Sequence, residues 1–135
     1  MPFQAILFDC DGVLVDSEPI TNRVLRHMLV ERGWPISEDE CEQLFIGHTV
    51  RTRKDLIEAH TGQPFTEEWL LSFYERRNQA LRIELQPIAG ALQAVMAAHA
   101  FTRGRIACAS GADRPKIEMQ LRMAGMSEWF GAHVY

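Results

Sequence analysis

The chain begins with an unbroken apolar run, Ala5-Ile6-Leu7-Phe8, that stops abruptly at Asp9. A run of this length without alternation predicts a strand covered on both faces, as in the centre of a parallel sheet. Asp9-Cys10-Asp11-Gly12 then reads as a turn at the carboxyl end of that strand. Beyond the turn the pattern takes on the period of a helix. Ile20, Val24, Leu25, Met28 and Leu29 make one apolar stripe, which Ser17 can cap and Gly33 can end. Ser37 and Glu40 have capping-box spacing for a short helix reaching Phe45. Thr49 opens a third helix, with Leu56 and Ile57 inward and Gly62 as its stop. Thr66 followed by Glu67 and Glu68 opens a fourth, whose stripe is Trp69, Leu70, Phe73, Tyr74 and Leu81. The acids of its first turn suit the helix dipole.

From Ser17 to Leu85 the pattern is therefore all helical, and Gln86-Pro87-Ile88 breaks it. An α/β rhythm follows. Ala91, Leu92, Val95 and Met96 predict a helix, and Arg105 to Ala109 a second short buried strand. Ser110-Gly111-Ala112 is a turn. Pro115 suits the first turn of a helix that runs to Ala124 and is ended by Gly125. Ala132 to Tyr135 reads as the beginning of a third strand. The simplest architecture is a parallel α/β core, residues 1–16 and 86–135, interrupted by a helical insertion over residues 17–85.

Composition narrows the function classes. The chain has 135 residues, enough for one core with a modest insertion. With 47% hydrophobic and 24% charged residues it is not a disordered chain. A formal net charge of −4 gives no general footprint for nucleic acid or an anionic membrane. No apolar run approaches the ~20 residues that span a bilayer, and the start does not read as a secretory leader. Cys10, Cys41 and Cys108 are odd in number and lack metal-ligand spacing, so they read as reduced thiols of a cytoplasmic protein.

The strongest chemical signal is the pair Asp9 and Asp11. Open α/β sheets bind ligands at the carboxyl ends of their strands. The backbone of the Asp11-Gly12 turn can form an anion-binding nest, and Gly12 admits close approach of a ligand. One carboxylate there can be a nucleophile or a Mg²⁺ ligand, and the other can move protons. On its own, an Asp-Gly pair is as readily only a turn. An EF-hand is excluded: the loop would need glycine at its sixth position, and here Gly12 stands fourth, with Val13 next.

Phe8-Asp9-Cys10-Asp11-Gly12-Val13-Leu14-Val15-Asp16-Ser17-Glu18 resembles the first motif of the haloacid dehalogenase (HAD) superfamily, in its phosphatase and phosphomutase branch. The helical stretch 17–85 has the place and size of that branch's cap. Gln86-Pro87-Ile88-Ala89-Gly90 is similar to the family's Pro-x-Pro-Gly return to the core, with Ala89 in place of the second proline. Ile106-Ala107-Cys108-Ala109-Ser110-Gly111 resembles the second motif. The resemblance implies a Rossmann-like core with an α-helical cap. It implies a Mg²⁺-dependent phosphatase of a small phosphorylated metabolite, a sugar phosphate or phosphosugar acid. Asp9 would form an aspartyl-phosphate and, with the Asp11 main-chain carbonyl, bind Mg²⁺. Asp11 would protonate the leaving alcohol and then activate water. Asp11, Gly12, Ser110 and Gly111 would hold the phosphoryl group. The family's dehalogenases lack the second aspartate, so phosphate chemistry is favoured over C–halogen cleavage.

The family's later lysine and acidic pair have no counterpart before Tyr135, so the core reads as C-terminally shortened and the chain as weakly active or inactive alone. Lys116 lies in a helix too close to Ser110 for the family's lysine and receives no role. Strand one would then present an apolar edge open to self-association or a partner. In the cap, His48, Thr49 and Arg51 are the candidate substrate contacts, with Arg53 and Lys54 nearby, against the plainer reading of a solvated basic face. A sugar phosphomutase is the close alternative; Thr21 or Asn22 stands where such enzymes often carry histidine. A non-catalytic fragment that binds phosphate or a partner is the alternative from another class.

Overall fold

The computed structural model describes residues 4–135. The chain splits into two compact units, residues 1–18 with 81–135 and residues 19–80.

In the first unit, strand β1 (Ile6–Phe8) pairs in parallel with β2 (Ile106–Cys108), Ile6 opposite Ile106 and Phe8 opposite Cys108. All three residues of β2 are buried. β1 departs from the expectation of a strand covered on both faces, because Leu7 is 70% exposed. The two faces differ in what covers them. Phe8 meets Phe130 edge-on, with ring centroids 5.8 Å apart, whereas Leu7 points the other way into solvent. The expected third strand is present as one parallel bridge, Val134 to Cys108. The Cys108 N–H donates to the His133 carbonyl (2.9 Å), and the Tyr135 N–H to the Cys108 carbonyl (2.7 Å). β2 therefore lies between β1 and the 133–135 segment.

Three helices complete this unit: α5 (Ala91–Phe101), α6 (Arg114–Met123) and α7 (Ser127–Phe130). On α5 the buried positions are Ala91, Val95 and Ala98, one stripe at helical spacing. Met96 lies beside that stripe and is 43% exposed. The segments leading into and out of the insertion pair with each other. Val15 forms an antiparallel bridge to Pro87. The Asp16 N–H donates to the Gln86 carbonyl and the Ile88 N–H to the Leu14 carbonyl, both at 2.9 Å. Pro87 offers no donor, so its neighbours make the bonds.

The second unit is helical: α1 (Glu18–Glu31), α2 (Glu38–Phe45), a 3₁₀ turn over Arg51–Arg53, α3 (Lys54–Thr61) and α4 (Glu67–Glu84). The chain passes between units inside α1 and α4, whose outer ends belong to the first. The core is the apolar stripe of α1 packed with Ile36, Ile57, Leu70 and Phe73. Trp34 stacks on His60 at 4.1 Å, with the rings 7° from parallel. The helix starts are those the sequence marks. Ser37 Oγ accepts the Glu40 N–H (3.1 Å) and donates to Glu40 Oε1 (3.0 Å). Thr66 Oγ1 accepts the Trp69 N–H at 3.1 Å. Gly62 ends α3 with φ +66°, a conformation that favours glycine. Among the described residues no helix is long and apolar enough to cross a membrane.

These contacts set two expectations for chemical denaturation followed by tryptophan fluorescence. Phe73→Ala, at a site 1% exposed, should destabilise by about 3–5 kcal/mol. Ser37→Ala should cost roughly 1 kcal/mol through the lost cap.

Candidate active site

The site is built at the carboxyl ends of β1 and β2. The Ala109 N–H donates to the Phe8 carbonyl (2.8 Å), so Asp9 and the Ala109-Ser110 segment leave the sheet at the same end. Asp9 is exposed, and its Oδ1 accepts the Cys10 N–H at 2.8 Å. Cys10 is buried. Its carbonyl accepts three N–H groups, from Val13 (3.2 Å), Leu14 (2.8 Å) and Val15 (3.2 Å), which closes the turn tightly. Gly12 has φ +75°, and a Cβ added there would stand 3.4 Å from Glu18 Oε1. Its N–H donates to the Val15 carbonyl at 2.9 Å. The turn thus uses internally a donor that the nest reading offers to a ligand.

Asp11 is half-buried and densely hydrogen-bonded. Its Oδ1 accepts from Ser17 Oγ (2.6 Å), Lys116 Nζ (3.0 Å) and Gln120 Nε2 (3.1 Å). Gln120 Nε2 also lies 3.6 Å from Cys10 Sγ. Lys116 and Gln120 stand one turn apart on α6 and so share a face. Asp113 caps that helix by accepting the Lys116 N–H (3.3 Å), and Pro115 occupies its first turn. Lys116, which the sequence reading gave no role, is the charged partner of Asp11 here. The signal was there: Lys116 and Gln120 fall among Ile117, Met119 and Leu121, polar residues on an otherwise inward stripe. A lysine is rarely buried unless it is paired.

Burial works to raise the pKa of Asp11, but the Lys116 charge and the hydrogen bonds from Ser17, Lys116 and Gln120 outweigh it. The net effect holds the carboxyl below its ordinary range. The neighbouring Cys108 thiol and burial push the Cys10 thiol far above the ordinary range. A nucleophilic role for Cys10 is correspondingly disfavoured.

Ser110 follows β2. Its Oγ accepts the Ala112 N–H (3.2 Å), which leaves the hydroxyl proton free to donate, and Gly111 beside it is exposed. The cap candidates lie in the helical unit. The His48 N–H donates to the Phe45 carbonyl (3.1 Å), and Thr49 Oγ1 bonds to Thr52 Oγ1 (3.4 Å). Arg51 is paired with Glu67 through both terminal guanidinium nitrogens. The charge expected to meet an anionic substrate therefore already faces a carboxylate. Arg76 pairs bidentately with Glu31, and Arg77 is buried over the Tyr74 ring.

The donor set suits a hard cation in part. One exposed carboxylate and a nearby main-chain carbonyl, Asp9 and Asp11, match the one or two protein ligands that Mg²⁺ takes when substrate and water complete its shell. Among the described residues no group of three or more His, Cys, Asp or Glu side chains gathers to hold a metal.

The Asp11 environment gives a pH dependence. A carboxyl whose folded-state pKa is depressed contributes stability above its unfolded-state pKa. That contribution is lost as the pH falls through the unfolded value toward the folded one. Metal-free protein should therefore lose stability more steeply than Asp11→Asn as the pH drops below about 5, read by denaturant midpoints across pH.

A family model for haloacid dehalogenase-like hydrolases matches residues 3–135. No curated protein matches the chain. Among solved structures, the chain is similar to a conserved haloacid dehalogenase-like protein of unknown function from Agrobacterium tumefaciens. The TM-score is 0.79 at 28% identity, over 98% of this chain and 58% of that one. A HAD-family hydrolase from Deinococcus radiodurans, with bound phosphate and sodium, gives 0.72 at 30% identity, over 99% and 58%. A Thermotoga maritima protein described as a β-phosphoglucomutase gives 0.74 at 21% identity, over 98% and 61%, and so shares the fold. The chain spans about three-fifths of the length of these structures. With the strand-end aspartates, the Rossmann-like α/β core and a family match over nearly its whole length, this chain belongs to the haloacid dehalogenase-like hydrolases.

Proposed function

We propose that the chain carries the core chemistry of a Mg²⁺-dependent phosphatase acting on a small phosphorylated metabolite, a sugar phosphate or phosphosugar acid. The observation that carries this reading is the division between the two aspartates. Asp9 is exposed with one oxygen fixed by the Cys10 N–H, whereas Asp11 is half-buried and held by three donors. A free carboxylate suits attack on phosphorus, and a held one suits proton transfer. The bound phosphate of the Deinococcus relative agrees with the substrate class. The three buried, unpaired cysteines agree with a cytoplasmic setting.

In the first half-reaction a carboxylate oxygen of Asp9 bonds to phosphorus as the ester P–O bond breaks. The leaving oxygen takes a proton from Asp11. In the second half-reaction Asp11 takes a proton from water, whose oxygen attacks phosphorus and releases Asp9 and inorganic phosphate. The donors around Asp11 favour its carboxylate form, which suits the second half. The negative charge of an arriving phosphate pushes the other way, so proton uptake accompanies substrate binding. Mg²⁺, held by Asp9 and the Asp11 carbonyl, would offset repulsion between carboxylate and phosphate. The Ser110 hydroxyl and the Gly111 N–H donate to the phosphoryl oxygens, with Gly12 leaving room beside them. In the helical unit His48, Thr49 and Arg51 are the residues proposed for substrate contact, and Arg51 would have to exchange Glu67 for a ligand. A phosphomutase would share the first half and return the phosphoryl group to a second hydroxyl.

The test is phosphoryl transfer from an aryl phosphate and from acetyl phosphate, with Mg²⁺ or with EDTA. Intact-mass spectrometry reads any phosphoenzyme. We expect Mg²⁺-dependent labelling that Asp9→Asn abolishes. Asp11→Asn should still be labelled but release phosphate about 10²–10⁴-fold more slowly. Labelling that survives Asp9→Asn, or that EDTA leaves unchanged, would overturn the reading.

A further inference from the structure

Three donors converge on a single oxygen of Asp11, and two of them come from one helix. A carboxylate oxygen offers about two lone-pair sites, so Ser17, Lys116 and Gln120 saturate Oδ1. Among the described residues, every hydrogen bond to this carboxylate falls on that oxygen. The donors are themselves anchored. Ser17 is 1%, Lys116 7% and Gln120 0% exposed. Asp113 holds the Lys116 backbone through its N–H, and the buried Ile117 and Leu121 pin the same turns of α6. One Gln120 N–H faces Asp11 while the amide also reaches Cys10 Sγ inside the same loop. A carboxyl that was merely neutralised would need only the lysine. This one is gripped from three directions with its second oxygen left clear.

We propose that Lys116 and Gln120 are positioning residues. They lock the Asp11 side chain into one rotamer through Oδ1 and so dedicate Oδ2 to proton transfer with the leaving group and water. The proposal rests on the reading of Asp11 as the proton-transfer group. Neither residue touches the substrate; both act through Asp11. A small misplacement of a proton-transfer group is expensive: a shift of about 1 Å can cost ~10²-fold in rate.

The test uses the full chain with Lys116→Met, Lys116→Arg, Gln120→Leu and Asp11→Asn. The first readout is independent of turnover. Three-bond couplings to the ¹³C-labelled Asp11 carboxyl report its χ1 rotamer. Wild type and Lys116→Arg should show one rotamer, and Gln120→Leu and Lys116→Met an average of several. The second readout is dephosphorylation of the Asp9 phosphoenzyme and steady-state hydrolysis. Lys116→Met should lower kcat about 10²-fold with KM little changed, and Lys116→Arg should recover most of the loss. Added to Asp11→Asn, Lys116→Met should cost little more, because the two changes act on one group. An averaged Asp11 rotamer in the wild type, or a single one in Gln120→Leu and Lys116→Met, overturns the proposal. So does a Lys116→Met loss that is additive with Asp11→Asn or appears in KM alone. If Asp11→Asn itself leaves every rate unchanged, it is the underlying assignment of Asp11 that falls, a result distinct from failure of the clamp. Should Lys116→Met fail to fold, Gln120→Leu and Lys116→Arg carry the comparison.

Discussion

The site depends on one register. Phe8 pairs with Cys108 in a parallel ladder, which sends the Asp9 turn and the Ser110 turn out of the sheet at the same end. The helix that follows β2 starts at that end too, and its first two turns reach the aspartate loop. A slip of one residue would move every side chain of the short strand to the other face and carry Asp9 away from its neighbours. With only three residues in each strand, the ladder alone is a weak guarantor of that register. The edge-on contact of Phe8 with Phe130 holds the carboxyl end of β1 in place, and the Cys10 carbonyl, gathering three N–H groups, fixes the turn that follows it.

Much of this was legible from residue pattern. The aspartate turn, the four helices of the insertion, the Ser37 and Thr66 caps and the α6 start at Pro115 all follow from local rules of capping and period, which act within a few residues. What escaped is long-range. Leu7 has the hydrophobicity of a covered position, but covering is a property of what packs over it, and no local rule supplies that. Met96 belongs to an apolar helix where almost any face could be inward, and the stripe chosen by Ala91, Val95 and Ala98 excludes it. Lys116 needed knowledge that residues 105 positions apart meet. Arg51 illustrates the same limit in the cap. Its charge was visible, its partner Glu67 sixteen residues on was not.

The Asp11–Lys116 pair also shows why a charged contact beneath a candidate active site is not simply a source of stability. Removing both charges from water is costly, and their mutual attraction only roughly compensates. Three hydrogen bonds on one oxygen restore what desolvation takes away and give in return a fixed orientation. Local order of this kind suits proton transfer, which depends on direction as well as distance.

The buried thiols carry a consequence of their own. Cys10 and Cys108 lie inside the α/β unit and Cys41 inside the helical one, where burial raises its pKa to about 11. Alkylating reagents need an accessible thiolate, so none of the three reacts until its surroundings open. Sulfur therefore serves as an internal clock. The labelling rate at Cys41 times the opening of one unit and that at Cys10 and Cys108 the opening of the other. The two lifetimes can be read separately from a single unmodified chain.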